Sequence, residues 1–168
     1  MCEPRQLDPG KALKANMILT DMQLSDIDAV LRIEQQAFPT PWSRNAFIGE
    51  LTQNPLAIYV VGRTQSTVVC YAGTWLIHGE AHITNVAVDP AVRGMGYGEA
   101  VCRGLLARVK ELGATKATLE VRTSNMVAQQ LYHKLGFRPV GVRPGYYTDT
   151  NEDALIMWKD DLQSDESI

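Results

Sequence analysis

The alternation of apolar and polar positions begins at Met17–Thr20, a short run that reads as a first strand. Ser25, with Asp28 three positions on, has the spacing of a capping box. Ile27, Val30, Leu31 and Phe38 then continue as an apolar stripe at helical period. Pro39 and Pro41 end that helix, and Ser43 can cap a second one from Arg44 to Leu51, carrying Phe47, Ile48 and Leu51. Leu56–Arg63 and Thr67–Ile77 read as an antiparallel hairpin, and a turn at His78-Gly79-Glu80 leads into a strand from His82 to Val88. Strands and helices then alternate. Helix Gly96–Leu112 presents Val101, Leu105, Val109 and Leu112 on one face, strand Thr115–Val121 follows, and then helix Asn125–Leu135. Gly113 and Gly136 stop the two helices, and Phe137–Val142 and Ala154–Trp158 are the last strands. The order β-α-α-β-β-β-α-β-α-β-β joins an antiparallel front half to a β-α-β back half. It predicts a mixed central sheet with helices on both faces.

Composition narrows the field of functions. A chain of 168 residues is long enough for one core without metal or disulfide staples, and it contains neither repeat nor linker. Residues 1–15 are polar without a period and are expected to form a mobile arm, with a single domain over 16–160. The acidic residues 161–168 are expected to be a flexible, solvated tail. A formal net charge of −3 argues against nucleic acid as the main partner. No apolar run approaches the ~18–20 residues of a membrane span, so no membrane partner is expected. Cys2, Cys70 and Cys102 are odd in number and lack metal or disulfide spacing, which suits a reduced, cytoplasmic compartment. His78, His82 and His133 form no metal-like group, and no metal is expected. A monomer or weak homodimer is the expected state.

The segment from Asn85 to Glu99 carries the first chemical signal. A hydrophobic strand stops at Asp89-Pro90, then comes Arg93-Gly94-Met95-Gly96-Tyr97-Gly98, and an amphipathic helix starts at once. Glycines let backbone N–H groups approach an anion, and the free N–H groups at a helix start favour phosphate. Arg93 can add a cation at the mouth. A tight turn that needs glycine only for its backbone angles is the plainer reading. A dinucleotide-binding unit requires a third glycine where Glu99 or Val101 stands, and a P-loop requires a Gly-Lys-Ser/Thr that is absent. In the strand before the turn the large apolar residues move from odd positions (Ile83) to even ones (Val86, Val88). A β-bulge near Asn85 would produce that switch.

The turn Arg-x-x-Gly-x-Gly, set between a mid-chain strand and a helix, resembles the acetyl-CoA motif of the GNAT N-acetyltransferases. The resemblance spans about residues 17–159. It includes Asn85-Val86-Ala87-Val88-Asp89-Pro90, Leu119-Glu120-Val121-Arg122, Ser124-Asn125 and Leu131-Tyr132-x-x-Leu135-Gly136-Phe137. It implies the GNAT acyl-CoA N-acyltransferase fold, an α/β sheet of about seven strands splayed between its two central parallel strands to admit the pantetheine arm. It also implies that a bulge frees a backbone N–H for the thioester carbonyl. Val86, Ala87, Val88, Arg93, Gly94, Met95, Gly96, Tyr97, Gly98, Glu99 and Asn125 are then the expected acetyl-CoA contacts.

Acetylation of an amine by a thioester requires a neutral amine, a polarised carbonyl and a proton for the thiolate. Glu120 is the candidate base, since it points with Lys116 and Thr118 away from Ala117, Leu119 and Val121; a carboxylate salt-bridged to Arg122 or Lys116 is the alternative. Tyr132 lies two helical turns after Asn125 and is the candidate acid; a core tyrosine is the alternative. Glu34-x-x-x-Phe38, Pro41-Trp42-Ser43 and Tyr146-Tyr147 with Glu152-Asp153-Ala154 resemble the RimI-type branch, the ribosomal-protein alanine N-acetyltransferases. In that branch the residues matching Glu120 and Tyr132 are proton acceptor and donor. The implied acceptor is the N-terminal alanine of small-subunit ribosomal protein eighteen; other protein N-termini, lysines or small amines are the alternative. Glu34 lies on an apolar stripe and is a candidate contact for the acceptor ammonium, unless it extends to solvent. Trp42, Tyr146 and Tyr147 are candidate walls of a peptide slot. Cys102 is expected to pack as a small apolar residue.

Overall fold

A computed structural model describes residues 16–168, so the expected arm at 1–15 lies outside the described residues. The strands are β1 (Ile18–Asp21), β2 (Ala57–Thr64), β3 (Thr67–Ile77), β4 (Glu80–Val88), β5 (Lys116–Arg122), β6 (Arg138–Tyr147) and β7 (Glu152–Lys159). The helices are α1 (Ile27–Ala37), α2 (Arg44–Thr52), α3 (Tyr97–Glu111) and α4 (Met126–Lys134). They form one sheet in the order β1-β2-β3-β4-β5-β7-β6, in which β4–β5 alone is a parallel pair. Local chemistry sets most boundaries. Ser43 accepts a hydrogen bond from the Ala46 N–H and starts α2, a cap worth about 1 kcal/mol. His78 and Gly79 both take positive φ, as a tight two-residue hairpin turn requires.

Two apolar layers sandwich the sheet. One packs α3 and α4 against Leu119, Val121 and Met157; the other packs α1 and α2 against Tyr59, Val61 and Tyr71. In β4, Ala81 and Ile83 face the α3 layer, whereas Val86 and Val88 face it further on and Ala87 faces the α1 layer. The parity therefore switches, and the cause is a bulge: Thr74 pairs with Ile83 but Gly73 with Asn85, leaving Thr84 over.

Three expectations require correction. The capping acid before α1 is Asp26, not Asp28: the Gln23 N–H donates to its Oδ2 at 2.8 Å, while Asp28 pairs with Arg44. Strand β6 runs on to Tyr147 through Pro144, because an edge strand tolerates a residue with no donor. Residues 161–168 are not a solvated tail. Leu162 is fully buried, Lys110 Nζ donates to the Asp165 carbonyl at 2.6 Å, and Arg103 donates to the Ser167 carbonyl at 3.1 Å. The anchor is Lys159, 2% exposed, whose ammonium lies 2.6 Å from Asp165 and 3.0 Å from Asp161. A buried ammonium is too costly to leave unpaired, so the acidic residues fold back onto it.

Candidate active site

Strands β4 and β5 pair only from Glu80–Lys116 to His82–Thr118. Beyond that they diverge, although β4 continues to Val88 and β5 to Arg122. The edge of β4 that faces β5 therefore has no strand partner over Val86, Ala87 and Val88, and its backbone groups line an open slot. Beyond the slot, the Asp89 side chain accepts from the Ala91 N–H and closes a single turn at Pro90–Val92. Arg93 follows, exposed. Gly94 (φ 78°) and Gly96 (φ 87°) adopt the left-handed backbone and reverse the chain into α3. A Cβ at either would meet nothing within 4 Å, so the turn opens onto free space. No side chain caps α3, and the N–H groups of Tyr97, Gly98 and Glu99 precede its first internal donor, the Ala100 N–H, which bonds to the Gly96 carbonyl. The turn thus presents free backbone N–H groups to open space, an arrangement suited to an anion.

Side chains around the cradle do other work. Met95 is exposed, whereas Tyr97 is buried in the core and offers the cradle only its N–H. Gly98 has helical angles, with Val88 and Leu131 3.6 Å from where a Cβ would stand. Glu99 pairs with Lys134 (2.6 Å) and Arg103 (3.1 Å), and those bonds hold its carboxyl below the usual range. Asn125 caps α4 through Oδ1, which accepts from the Ala128 N–H at 3.1 Å.

Glu120 and Tyr132 stand on opposite faces of the sheet. Leu119 and Val121 face the α3 layer, so Glu120 points to the other side. It accepts from Arg143 Nε at 3.3 Å, not from Lys116 or Arg122. Tyr132 is buried in the α3 layer against Phe137. Burial drives its phenol well above the usual range, so it keeps its proton. Tyr147 ends β6 with its ring edge-on to Tyr146. Its phenol rises to about 12, through burial first and the neighbouring Tyr146 second.

A second wall rises on the Glu120 side. The Arg122 guanidinium lies 4.0 Å over the Tyr147 ring and pairs with Asp149 at 2.8 Å. Thr40, in the loop after α1, donates to Asp149 at 3.4 Å and ties that loop to the β6–β7 hairpin. Trp42 packs on Phe47 beside it. Arg143, Arg122 and Asp149 are not among the expected site residues. Spacing alone carries no signal for them, because their partners come from other strands. Glu34 is neither an exposed charge nor open to an acceptor. It is 1% exposed and accepts from the Trp42 N–H at 2.9 Å and from the Tyr71 hydroxyl, and burial raises its carboxyl. It holds the slot-side loop in place. Cys102 is buried and held up at about 12 by burial, as expected of a packing thiol. Among the described residues no His, Cys, Asp and Glu group could hold a metal, and no helix is long and apolar enough to cross a membrane.

Comparison with known proteins agrees with this geometry. Residues 27–137 match the acetyltransferase (GNAT) family. A Bacillus subtilis protein, provisionally named a ribosomal protein bS18-alanine N-acetyltransferase, is 43% identical over 146 residues, 87% of this chain and 97% of that protein. The Escherichia coli K12 ribosomal protein bS18-alanine N-acetyltransferase is 33% identical over 141 residues, 83% of this chain and 94% of its own. The crystal structure of the ribosomal-protein-S18-alanine N-acetyltransferase from Escherichia coli superposes with a TM-score of 0.80 at 31% identity, covering 90% of this chain and 98% of that one. Splayed sheet, backbone cradle and sequence similarity coincide over the same residues, and the chain belongs to the GNAT family of acetyltransferases and is an acyltransferase.

Proposed function

We propose that the protein transfers the acetyl group of acetyl-CoA to a protein N-terminal α-amine, with the N-terminal alanine of ribosomal protein bS18 as acceptor and both substrates bound together in the cytoplasm. The divergence of β4 and β5 carries this reading, because it leaves a slot with the cradle on one side and a carboxylate on the other. The cradle fits a pyrophosphate: its donors are backbone N–H groups, its glycines leave the space above them open, and Arg93 adds charge. Val86, Ala87 and Val88 supply backbone groups to the acyl end, Asn125 an amide.

A peptide α-amine has a pKa of about 8 and enters mostly as the ammonium. Glu120 takes its proton, directly or through one water, while Arg143 orients the carboxylate. The amine nitrogen bonds to the acetyl carbon as the carbon–sulfur bond breaks, and Tyr132 protonates the departing sulfur. Burial keeps Tyr132 in its protonated form, the form from which a proton donor must start. Trp42, Tyr146 and Tyr147 wall the acceptor, and the buried thiol of Cys102 takes no part.

The test is acetyl transfer by the purified protein to peptides beginning Ala-Arg, Met-Leu or with an acetylated amine, set against free polyamines and amino acids. Transfer to the Ala-Arg peptide by at least about tenfold over the others supports the reading. Preference for a free amine would overturn the acceptor while leaving the donor intact. Mass spectrometry of bS18 from cells lacking the protein then checks the named target.

A further inference from the structure

A polar cluster, buried at Tyr59 and Asn85 and half-buried at Glu50, Trp75 and Thr84, lies on the α1 face at the β4 bulge, and neither the cradle nor the acid–base pair uses it. Its members come from four elements: Glu50 on α2, Tyr59 on β2, Trp75 on β3, and Thr84 with Asn85 on β4. Tyr59 pairs across the sheet with Gly73, and Gly73 pairs with Asn85, so the three stand in one row across three strands. Gly73 is what makes the row work. A Cβ there would lie 2.1 Å from the Tyr59 ring, so only glycine lets that ring lie flat across β3. The hydroxyl is thereby carried over one whole strand to the bulge.

There it lies 3.2 Å from Glu50 Oε2, 3.3 Å from Thr84 Oγ1 and 3.4 Å from Asn85 Oδ1. A phenol has one proton, which goes to the charged acceptor, so Tyr59 donates to Glu50 and accepts from the Thr84 hydroxyl. Glu50 is fixed in turn by the Trp75 indole, whose Nε1 donates to Oε2 at 2.6 Å. The ring is 3% exposed and edge-packed on Phe47, so it has no freedom to swing away. Burial first, with Glu50 opposing Thr84, raises the phenol well above its usual range and keeps the donor protonated.

The bulge needs such an anchor. Thr84 has no partner on β3, and from Ile83 onward β4 has none on β5. Backbone with ladder bonds on one side only, and a slipped register there, is soft. Yet donors aimed at a reacting carbonyl must be held to within about 0.5 Å. We propose that Glu50, Tyr59 and Thr84 form a clamp that fixes the bulge and so aims the backbone donors of Val86–Val88 at the thioester carbonyl. Tyr59 acts as a positioning residue and touches no substrate. This rests on the reading, given above, that those donors bind the thioester.

Tyr59→Phe removes the hydroxyl and keeps the ring. It should lower kcat about tenfold at nearly unchanged acetyl-CoA KM, since the pyrophosphate cradle is untouched. Glu50→Gln keeps an acceptor for both donors and should restore most of the rate, whereas Glu50→Ala should behave like Tyr59→Phe. The decisive reading is the infrared carbonyl band of acetyl-CoA labelled with carbon-13 at the carbonyl, bound without acceptor. In the wild-type protein donors at the bulge pull the band to lower frequency, and Tyr59→Phe should give back most of that shift while CoA affinity stays the same. A wild-type band at its solution position would overturn the bulge as thioester site and the clamp with it. A wild-type shift retained in full by Tyr59→Phe, at normal kcat, would overturn the clamp and leave the thioester site standing.

Discussion

The two sides of the slot are built in different ways. On the proposed donor side nearly everything falls between Asn85 and Glu99, and the groups offered are backbone: a bulge, two left-handed glycines and an uncapped helix start. On the proposed acceptor side the groups offered are side chains brought together across long separations. Thr40 meets Asp149 from 109 residues away, and Glu120 meets Arg143 from 23. A backbone cradle depends on local angles and tolerates drift in its side chains. An acceptor wall made of paired side chains changes whenever either partner does. That difference suits an enzyme with an invariant donor and a specific acceptor.

The comparison can be broken at several points. The largest effect is expected where the two sides meet. Glu120→Gln should lower kcat by about a hundredfold or more, and Tyr132→Phe by roughly tenfold to a hundredfold, with acetyl-CoA KM unchanged in both. Steady-state kinetics with both substrates varied decides this, and near-normal turnover in both variants would remove the acid–base assignment. Next comes a strike at the donor side alone. Gly96→Ala forces an L side chain to φ 87°, which costs about 1–2 kcal/mol. Acetyl-CoA KM should rise about tenfold if the turn relaxes away from its binding form, with the acceptor KM unmoved. The mirror experiment is Asp149→Asn, which weakens the hairpin tie to Arg122 and Thr40. Acceptor KM should rise roughly fivefold while acetyl-CoA KM stays put; equal changes in both would deny that the two sides are separable.

The smallest kinetic effect is expected far from both sides. Lys159→Met removes the buried ammonium that holds residues 161–165. Stranding Asp165 should cost about 3 kcal/mol of stability and leave both KM values alone. The pair also gives stability a pH dependence. Against the cost of burial, Lys159 and Ser167 hold the Asp165 carboxyl at about 2. Its contribution is complete above the unfolded aspartate value of about 3.9 and is lost as pH falls from there through the folded value. The Lys159 ammonium is raised by the same carboxylates despite its burial, so its contribution fades only as pH climbs through that raised value. Urea unfolding at acid, neutral and alkaline pH should show both losses in the wild-type protein; in Lys159→Met the alkaline loss from this ammonium should vanish and the acid loss should shrink, since Ser167 still bonds to Asp165.

Legibility in the sequence follows the same division. The bulge is legible because a period of two slips by one residue, and Ile83 against Val86 and Val88 records the slip. The cradle is legible because alternating glycines that run straight into an amphipathic helix leave a row of backbone N–H groups free for an anion. Glu34 misleads because an acid on an apolar stripe has two outcomes, exposure or a buried partner. The partner, Tyr71, lies on a strand that only the sheet brings near. The acidic tail misleads for the same reason: charge suggests solvent until a buried lysine is found to meet it.

By itself, then, the sequence determined the element order, the α/β layering, the bulge and the glycine turn proposed above to cradle acetyl-CoA, since each follows from backbone preference and local periodicity. Tertiary structure alone decided which charges pair, where Glu120 finds Arg143, and why Gly73 must be glycine for Tyr59 to reach Asn85. Those depend on cross-strand register and on desolvation, which act between residues with no fixed spacing along the chain.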